Sequence, residues 1–326
     1  MIQGKKQRYI IGYDNGAANI KVSILDLKTN ERKNYVSSSI IATAPDDATD
    51  MILYKKQRYY TGVEALYAKS ESQIDIIGYD SLSIMSPIAL YAFLKQENIH
   101  PDEVAFITIG LSFAHYAHAS EFKKLLTKFK INNEVIDFTG RLSMIPQGVG
   151  AKISIEELYE KKGLKIPHAY LIIDLGFLTR DDVDVINGTV RKENVNAEEH
   201  GGVIRVARNI QEYVMRKLGF DISIKEAKEA LDNGEYFASG EVYPLDKVIP
   251  DFLKEYTKYV MSQVESKHVR EFLKYRKIFF VGGGAHFIEP DRQNIEIIEE
   301  PEFANSIGNC IKAAADYKKK LAEETA

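Results

Sequence analysis

Two similar strand–turn–strand segments, 160 residues apart, constrain this chain more than any other feature of its sequence. Each has an apolar run, an Asp, a glycine two residues later, and a second run rich in β-branched residues. The Asp and Gly are Asp14 and Gly16 in the first segment and Asp174 and Gly176 in the second. Apolar and β-branched runs on both sides of a glycine turn predict a β-hairpin in each segment.

A third glycine turn follows the apolar run 277–281, where Gly282, Gly283 and Gly284 stand in succession. Glycines let backbone N–H groups approach a phosphate closely, and an adjacent Asp can hold a hydrated Mg²⁺. Two such hairpins facing each other would bind a polyphosphate and its metal. Any one of these turns alone is also typical of an ordinary hairpin.

The order and spacing of the three turns resemble the phosphate-1, phosphate-2 and adenosine motifs of the actin, Hsp70 and sugar-kinase superfamily. This resemblance implies an actin-like ATPase fold: two duplicated RNase H-like α/β domains, each around a mixed five-stranded sheet, with the nucleotide in the cleft between them. It also implies hydrolysis of ATP or GTP with Mg²⁺, which Asp14 and Asp174 would hold mainly through water. The residues that would contact the nucleotide are Asp14, Asn15, Gly16, Ala17, Asn19, Lys21, Gly176, Thr179, Gly201, Gly202, Gly282, Gly283 and Gly284.

Three of these assignments have plain structural alternatives. Lys21 lies seven residues after Asp14, where the family has a phosphate-binding lysine, but a strand lysine can also point to solvent. Gln147 precedes the second hairpin where the family places a Gln or Glu that positions the attacking water, so with Asp174 it is the catalytic candidate. Gln147 could instead be a solvent-facing residue at a helix start. The Gly201–Gly202 step could be a simple helix entry.

Within the superfamily, the chain is most similar to plasmid-segregation actins of the ParM/StbA type. The segments that carry this resemblance are 110–116, 280–285 and 301–308, and the segment 227–241 is similar to their helix-turn insertion. The resemblance implies a head-to-tail filament of the chain with itself and a DNA-binding adaptor protein as partner. Phe177 departs from the pattern, since many relatives have a glycine or small polar residue there, and this puts the hydrolysis rate in doubt.

The alternation of strands and helices predicts a first domain over 1–155 and a second over 156–305. The first would include a smaller outer subdomain at about 30–100, with the C-terminal helix 306–326 packing back on it. We expect a basic amphipathic helix over 120–130, and a helix over 147–160 that is interrupted near Lys152. A further helix is predicted over 267–275.

Composition fits a cytoplasmic protein. The 326 residues carry a net charge of −4, so a broadly basic surface for direct nucleic-acid binding is not expected. The single Cys310 excludes an intramolecular disulfide and suits a reducing compartment. The N-terminus shows no secretory h-region, and no apolar run approaches the roughly 18 residues of a membrane span.

The sequence is compatible with three functions. The first is a polymerising ATPase that segregates plasmid DNA through an adaptor. The second is a non-segregating bacterial actin that acts as a scaffold for cell shape or organelle positioning. The third is a non-polymerising kinase of the same superfamily, although the chain is short for a kinase and shows no clear catalytic Asp beside an acceptor pocket.

Overall fold

The computed structural model of the chain describes residues 7–16, 19–69, 72–74, 79–268, 274–290 and 292–325. Ala17, one of the expected phosphate-binding residues, lies outside this part of the chain. So do residues 269–273 of the helix expected over 267–275, and Ala326 of the terminal helix. The chain divides into two compact units, Met1–Ile166 with Glu302–Ala326, and Pro167–Pro301. We call them the first and second units.

The first unit is built on a five-stranded mixed sheet. Its strands are β1 (Tyr9–Asp14), β2 (Asn19–Asp26), β3 (Glu31–Ser38), β7 (Val104–Leu111) and β10 (Leu142–Pro146). The order is β10-β7-β1-β2-β3, with β1, β2 and β3 antiparallel and β7 and β10 parallel to β1. Every residue of β7 is buried, as its apolar sequence predicts for a central parallel strand.

A second sheet in this unit has the order β4-β6-β5-β8-β9. Its strands are β4 (Ile41–Thr43), β5 (Ile52–Tyr54), β6 (Gln57–Thr61), β8 (Lys128–Ile131) and β9 (Glu134–Asp137). We call it the outer sheet. Strands β8 and β9 of this sheet lie beyond the range of about 30–100 that we expected for an outer subdomain.

The basic helix predicted over 120–130 is shorter than expected. The helix α3 (Ala119–Thr127) ends before Lys128, and the chain then becomes extended and forms β8. Phe129 and Ile131 are buried while Lys128 and Lys130 are exposed, so this stretch follows the two-residue period of a strand. Burial of two apolar side chains in the outer sheet therefore overrides the helical pattern.

The α-helices that the structure describes in the first unit are α1 (Gly62–Leu66), α2 (Tyr79–Gln96), α3 (Ala119–Thr127), α4 (Val149–Lys161) and α8 (Ala304–Thr325). The interruption expected near Lys152 is wrong, because α4 is continuous and Lys152 Nζ donates to Glu156 Oε2 one turn later at 2.6 Å. Helix α8 packs against α4 and against strands β1 and β7.

The second unit has a sheet of the same plan. Its strands are β11 (Ala169–Leu175), β12 (Thr179–Ile186), β13 (Thr189–Val190), β14 (Asn196–Glu199), β17 (Lys277–Val281) and β18 (Ile295–Ile297). The order is β13-β12-β11-β17-β18, and β14 also pairs with β12. Strands β11 and β12 form an antiparallel hairpin, and β17 and β18 run parallel to β11. The sequence Asn-Ala-Glu-Glu of β14 has no apolar alternation, so this sixth strand was not predicted.

The helices of the second unit are α5 (Ile204–Tyr213), followed by a π-helical turn over Val214–Leu218, then α6 (Ile224–Asn233) and α7 (Ile249–Lys267). Between α6 and α7 lies a two-stranded hairpin of β15 (Glu235–Ala238) and β16 (Glu241–Pro244). The segment that resembled a helix-turn insertion is thus a helix followed by a β-hairpin. None of the helices that the structure describes is long and apolar enough to cross a membrane.

Candidate functional site

The turn between β1 and β2 holds Asp14 and Lys21 side by side. The two residues face each other in the antiparallel register of the hairpin. Gly16 N donates to Asp14 O at 3.1 Å, which tightens the turn. A Cβ atom added to Gly16 would lie 2.4 Å from Asn19 O and 3.3 Å from Lys21 Nζ. Only a glycine therefore fits between the turn backbone and the lysine ammonium group.

Asp14 also contacts Gln147, which is 133 residues away in the chain. Gln147 Nε2 donates to Asp14 Oδ1 at 2.6 Å, and both side chains are buried. They meet because β1, β7 and β10 are parallel, so the carboxyl ends of all three strands share one edge of the sheet. Gln147 N donates to Leu111 O at 2.8 Å, which fixes the residue just ahead of α4. We call Asp14, Lys21 and Gln147 the Asp14 cluster.

The electrostatics of this cluster suit a cation site. Burial raises the pKa of the Asp14 carboxyl, and the Lys21 ammonium and the Gln147 hydrogen bond offset part of the rise. The carboxylate is thus poorly hydrated, and a bound cation would supply the charge compensation that water does not.

Asn15 and Asn19 flank the turn in different ways. Asn15 is buried, and its Nδ2 donates to Ser86 Oγ of α2 at 2.8 Å. Its side chain therefore holds the turn against the helix, which leaves its backbone for a phosphate. Asn19 is half-buried at the start of β2 and pairs with Ser38.

Helix α8 supports the Asp14 cluster through residues to which sequence analysis gave no role. Asn305 Oδ1 accepts from Gly148 N at 2.8 Å and from Ala151 N at 3.1 Å, so it caps the start of α4 just after Gln147. Asn309 Nδ2 donates to Tyr13 O at 3.0 Å, next to Asp14.

Close helix packing makes these contacts possible. A Cβ atom on Gly308 would lie 1.7 Å from Gly150 O, and one on Gly12 would lie 2.1 Å from Ser306 O. The segment 301–308, which carried part of the family resemblance, is therefore the part of the chain that fixes β1 and α4 in place.

The second unit presents an equivalent turn at Asp174. Gly176 N donates to Thr179 O at 3.0 Å and closes the hairpin of β11 and β12. Asp174 is buried and pairs in register with Asp181, which is also buried. Phe177, the departure from the family pattern, packs against the hydrophobic core of the second unit.

The Gly201–Gly202 step brings the start of α5 onto this turn. Val203 N donates to Gly176 O at 3.1 Å, and Ile204 N donates to Phe177 O at 2.8 Å. A Cβ atom on Gly202 would lie 2.5 Å from both of these carbonyl oxygens. The glycine pair is therefore more than a simple helix entry, because a side chain at 202 would separate the helix from the hairpin.

The third glycine turn lies beside Asp174. Gly282 has a φ of +80°, and a Cβ atom there would lie 2.5 Å from Asp174 Oδ1. A Cβ atom on Gly284 would lie 2.7 Å from Val203 Cγ2, whereas Gly283 has open space on that side. We call Asp174, Gly176, Gly202 and Gly282 the Asp174 cluster.

A buried charged network lies behind this cluster, and sequence analysis missed it. Arg180 is fully buried and donates from Nε to Asp182 Oδ1 at 2.9 Å and from Nη2 to Asp182 Oδ2 at 3.3 Å. Arg180 Nη2 also lies 3.1 Å from Glu198 Oε2. A Cβ atom on Gly201 would lie 3.0 Å from Glu198 Cγ, so the network reaches the glycine step directly. The charged residues at 180, 182 and 184 were the available signal for charges on one face of the strand.

Neither cluster is an all-protein metal site. Among the residues that the structure describes, no three His, Cys, Asp or Glu side chains lie together in a way that could hold a metal ion. Mg²⁺ is commonly bound by one or two carboxylates, with water and substrate phosphates completing its coordination. A single buried carboxylate in each cluster fits that kind of site.

Comparison with known proteins supports the fold. Residues 172–293 match the family model described as the C-terminal part of archaeal actin homologues that are MreB-like. A ParM from a 15-stranded Clostridium botulinum filament has a TM-score of 0.73 and 20% identity, covering 95% of this chain and 99% of that one. Ta0583, an archaeal actin homolog, has a TM-score of 0.72 and 18% identity, covering 94% and 99%.

A ParM from Bacillus thuringiensis with ATP has a TM-score of 0.60 and 14% identity, covering 97% of this chain and 100% of that one. No curated protein shows a significant sequence match to the chain. The predicted fold is confirmed: the chain has an actin-like α/β fold, and its predicted resemblance to ParM-type proteins extends to the structure.

Proposed function

We propose that the chain is an actin-like protein that hydrolyses a nucleoside triphosphate with Mg²⁺, forms filaments, and segregates plasmid DNA through an adaptor protein. The observation that carries the proposal is the 2.6 Å hydrogen bond between Gln147 and Asp14 at the shared edge of three strands. It places an amide suited to orient a water molecule beside a buried carboxylate suited to serve a cation.

In this proposal, each residue of the two clusters and of the third glycine turn has a role in nucleotide binding or hydrolysis. Asp14 and Asp174 would hold hydrated Mg²⁺, which would neutralise charge that develops during phosphoryl transfer. Lys21 and the backbone N–H groups of 15–17 and 176–179 bind the phosphates. Gly282, Gly283 and Gly284 border the adenosine. Gln147 orients the attacking water and needs no shifted pKa to do so.

The similar structures support nucleotide binding and assembly. One is a Bacillus thuringiensis ParM with ATP, another is the archaeal homolog Ta0583 in complex with ADP, and a third is a ParM filament from Clostridium botulinum. At 14–20% identity these likenesses establish the fold alone, so nucleotide and filament remain parts of the proposal.

Isothermal titration tests the nucleotide site directly. Wild type binds Mg²⁺–ATP or Mg²⁺–GTP, and Asp14→Ala binds more weakly because it removes the carboxylate of the Asp14 cluster. The matched control is Asp47→Ala, an exposed aspartate in a loop of the first unit, which binds like wild type. A folded wild type that binds neither nucleotide would contradict the proposal.

Assembly is tested by light scattering and sedimentation with triphosphate, a non-hydrolysable analogue and diphosphate. A ligand shifts an equilibrium only through different affinities for its states. We therefore expect the triphosphate and its analogue to drive polymerisation above a critical concentration, and the diphosphate to weaken it. A protein that stays monomeric with all three at tens of micromolar, a working range for protein association, would favour the kinase alternative.

A scaffold that segregates no DNA is the second candidate. The match of 172–293 to an archaeal actin model and the TM-score of 0.72 with an archaeal homolog favour it. Co-sedimentation of the filament with a small DNA-binding protein from a neighbouring gene, and loss of a test plasmid when that pair is deleted, separate the two. Stable plasmid inheritance without the pair supports the scaffold.

A further inference from the structure

A groove of about 450 Å³ lies beside strands β5 and β8 of the outer sheet in the first unit. Its lining combines apolar side chains with an exposed basic rim. The apolar residues are the half-buried Leu53 and Leu125 and the buried Tyr54 and Phe129, and the rim residues are Lys55, Lys56, Lys128 and Lys130. We call this surface the lysine groove.

Most of the positive charge on the rim is uncompensated. Lys128 Nζ lies 2.8 Å from Asp137 Oδ2. In the described part of the chain, no carboxylate forms an ion pair with Lys55, Lys56 or Lys130. Like charges gathered around an apolar floor favour an acidic, partly apolar occupant.

The backbone at the rim shows that two of these lysines occupy costly positions. Lys55 and Lys56 form the two-residue turn between β5 and β6, with φ values of 47° and 67°. The equivalent turn between β8 and β9 has φ values of 46° and 65° but uses Asn132 and Asn133, which tolerate this conformation better. Strained backbone of this kind is found preferentially at functional surfaces.

The hairpin of β15 and β16 in the second unit has complementary properties. On its inner face, Tyr236 and Tyr243 contact Phe220, with ring centroids 5.7 Å and 5.6 Å from it. On its outer face, Phe237 and Val242 are a cross-strand pair, and they are 65% and 51% exposed. The inner face of this hairpin is covered by Phe220, so the exposed apolar outer face is available to contact another surface.

Acidic residues accompany this exposed pair. Glu235 shares the outer face with Phe237 and is exposed, whereas Glu241 lies next to the turn on the inner face, where its Oε2 accepts from Tyr243 OH at 3.1 Å. We call the segment 235–244 the acidic hairpin. We propose that the acidic hairpin of one copy docks into the lysine groove of another copy, with Phe237 and Val242 against Leu53 and Leu125 and with Glu235 beside Lys55 and Lys56.

This inference rests on the proposed assembly and names a contact within it. The two surfaces differ, so each copy offers one of each, and the contact can repeat without closing on itself. Because the charged groups lie at an exposed rim, we expect the contact to weaken as salt concentration rises.

Charge reversal on each side separately tests the contact. One variant carries Lys55→Glu with Lys56→Glu, and the other carries Glu235→Lys. Each variant alone places like charges in the contact, so its critical concentration for assembly in sedimentation rises at least tenfold. In an equimolar mixture every groove meets a hairpin of opposite charge, and assembly returns to the wild-type level. The matched control is Lys123→Glu with Lys124→Glu, exposed lysines of α3 outside the groove, which assembles like wild type.

Two results would overturn the inference: variants that assemble as well as wild type, or a mixture that fails to restore assembly. A wild type that remains monomeric also overturns it. The nucleotide affinity of each variant, measured by titration, tests the proposed nucleotide site separately. All the reversed residues are exposed and lie outside both clusters. Wild-type nucleotide affinity in a variant that cannot assemble therefore leaves nucleotide binding intact and assigns the loss to the contact.

Discussion

Replacement of Gly202 by alanine tests whether the start of α5 must touch the Asp174 hairpin. The added Cβ atom would lie 2.5 Å from Gly176 O and Phe177 O, whereas ordinary van der Waals contact begins at 3.4 Å. Both neighbours are backbone atoms that already accept hydrogen bonds from Val203 and Ile204. The helix start and the hairpin must therefore separate by about 0.9 Å.

A displacement of that size matters for phosphoryl transfer because catalysis depends on positioning. A misplacement of about 1 Å can reduce turnover about 100-fold, which corresponds to about 2.7 kcal/mol of activation free energy. We expect Gly202→Ala to lower kcat for nucleotide hydrolysis by about this factor. Phosphate release under saturating Mg²⁺–nucleotide measures it, at a temperature where circular dichroism shows the variant folded.

Gly201→Ala is the matched control. Its Cβ atom would lie 3.0–3.1 Å from side-chain atoms of Glu198, so a smaller adjustment relieves the contact. We expect less than a tenfold reduction in kcat, with the order wild type, Gly201→Ala, Gly202→Ala. A folded Gly202→Ala variant that hydrolyses nucleotide at the wild-type rate would refute the argument that the glycine contact positions the hairpin.

Three further predictions follow from single contacts. Gln147→Ala slows hydrolysis at least tenfold, about 1.4 kcal/mol of barrier, with nucleotide affinity within a few-fold; unchanged turnover would mean that another group orients the water. Asn305→Ala lowers the free energy of unfolding in urea by about 2 kcal/mol, because two buried N–H groups lose their acceptor, whereas Asn305→Asp keeps the acceptor and most of the stability. Arg180→Met lowers it by about 3–5 kcal/mol, because buried Asp182 loses the guanidinium group and keeps only the donor Asn196 Nδ2 and the nearby His268. Adding Asp182→Leu recovers much of that loss; a double variant as unstable as the single one would show that the charge is not the cause.

The hairpins were predictable because their signals are local. Asp14 with Gly16, and Asp174 with Gly176, stand next to the strands whose turns they form, and turn geometry depends on a few consecutive residues. The short-range pattern therefore located both turns. It could not show that Gln147 meets Asp14, since that contact depends on β10, a strand that sequence analysis did not predict.

Asn305 and Arg180, which support the two clusters, were not predicted because their roles depend on tertiary structure rather than on a local sequence pattern. Asn305 caps a helix that begins more than 150 positions earlier in the chain, and an asparagine at a helix start reads first as a cap for its own helix. Arg180 lies on a buried strand, and a charged residue in a sequence pattern normally indicates exposure. The role of Asn305 is thus set by a distant partner, whereas the role of Arg180 is set by the burial of the strand that also carries Asp182.

The one predicted helix that became partly a strand explains the charge of the lysine groove. In a helix, Lys128 and Lys130 would be separated by about 200° around the axis and would point to different sides. In β8 they lie two residues apart on a strand, so they share the exposed face while Phe129 packs beneath. The same burial of alternate apolar residues that ends α3 at Thr127 thus gathers the lysines into one surface. Tertiary packing, rather than the number of lysines in the segment, creates the binding surface that we propose for the acidic hairpin.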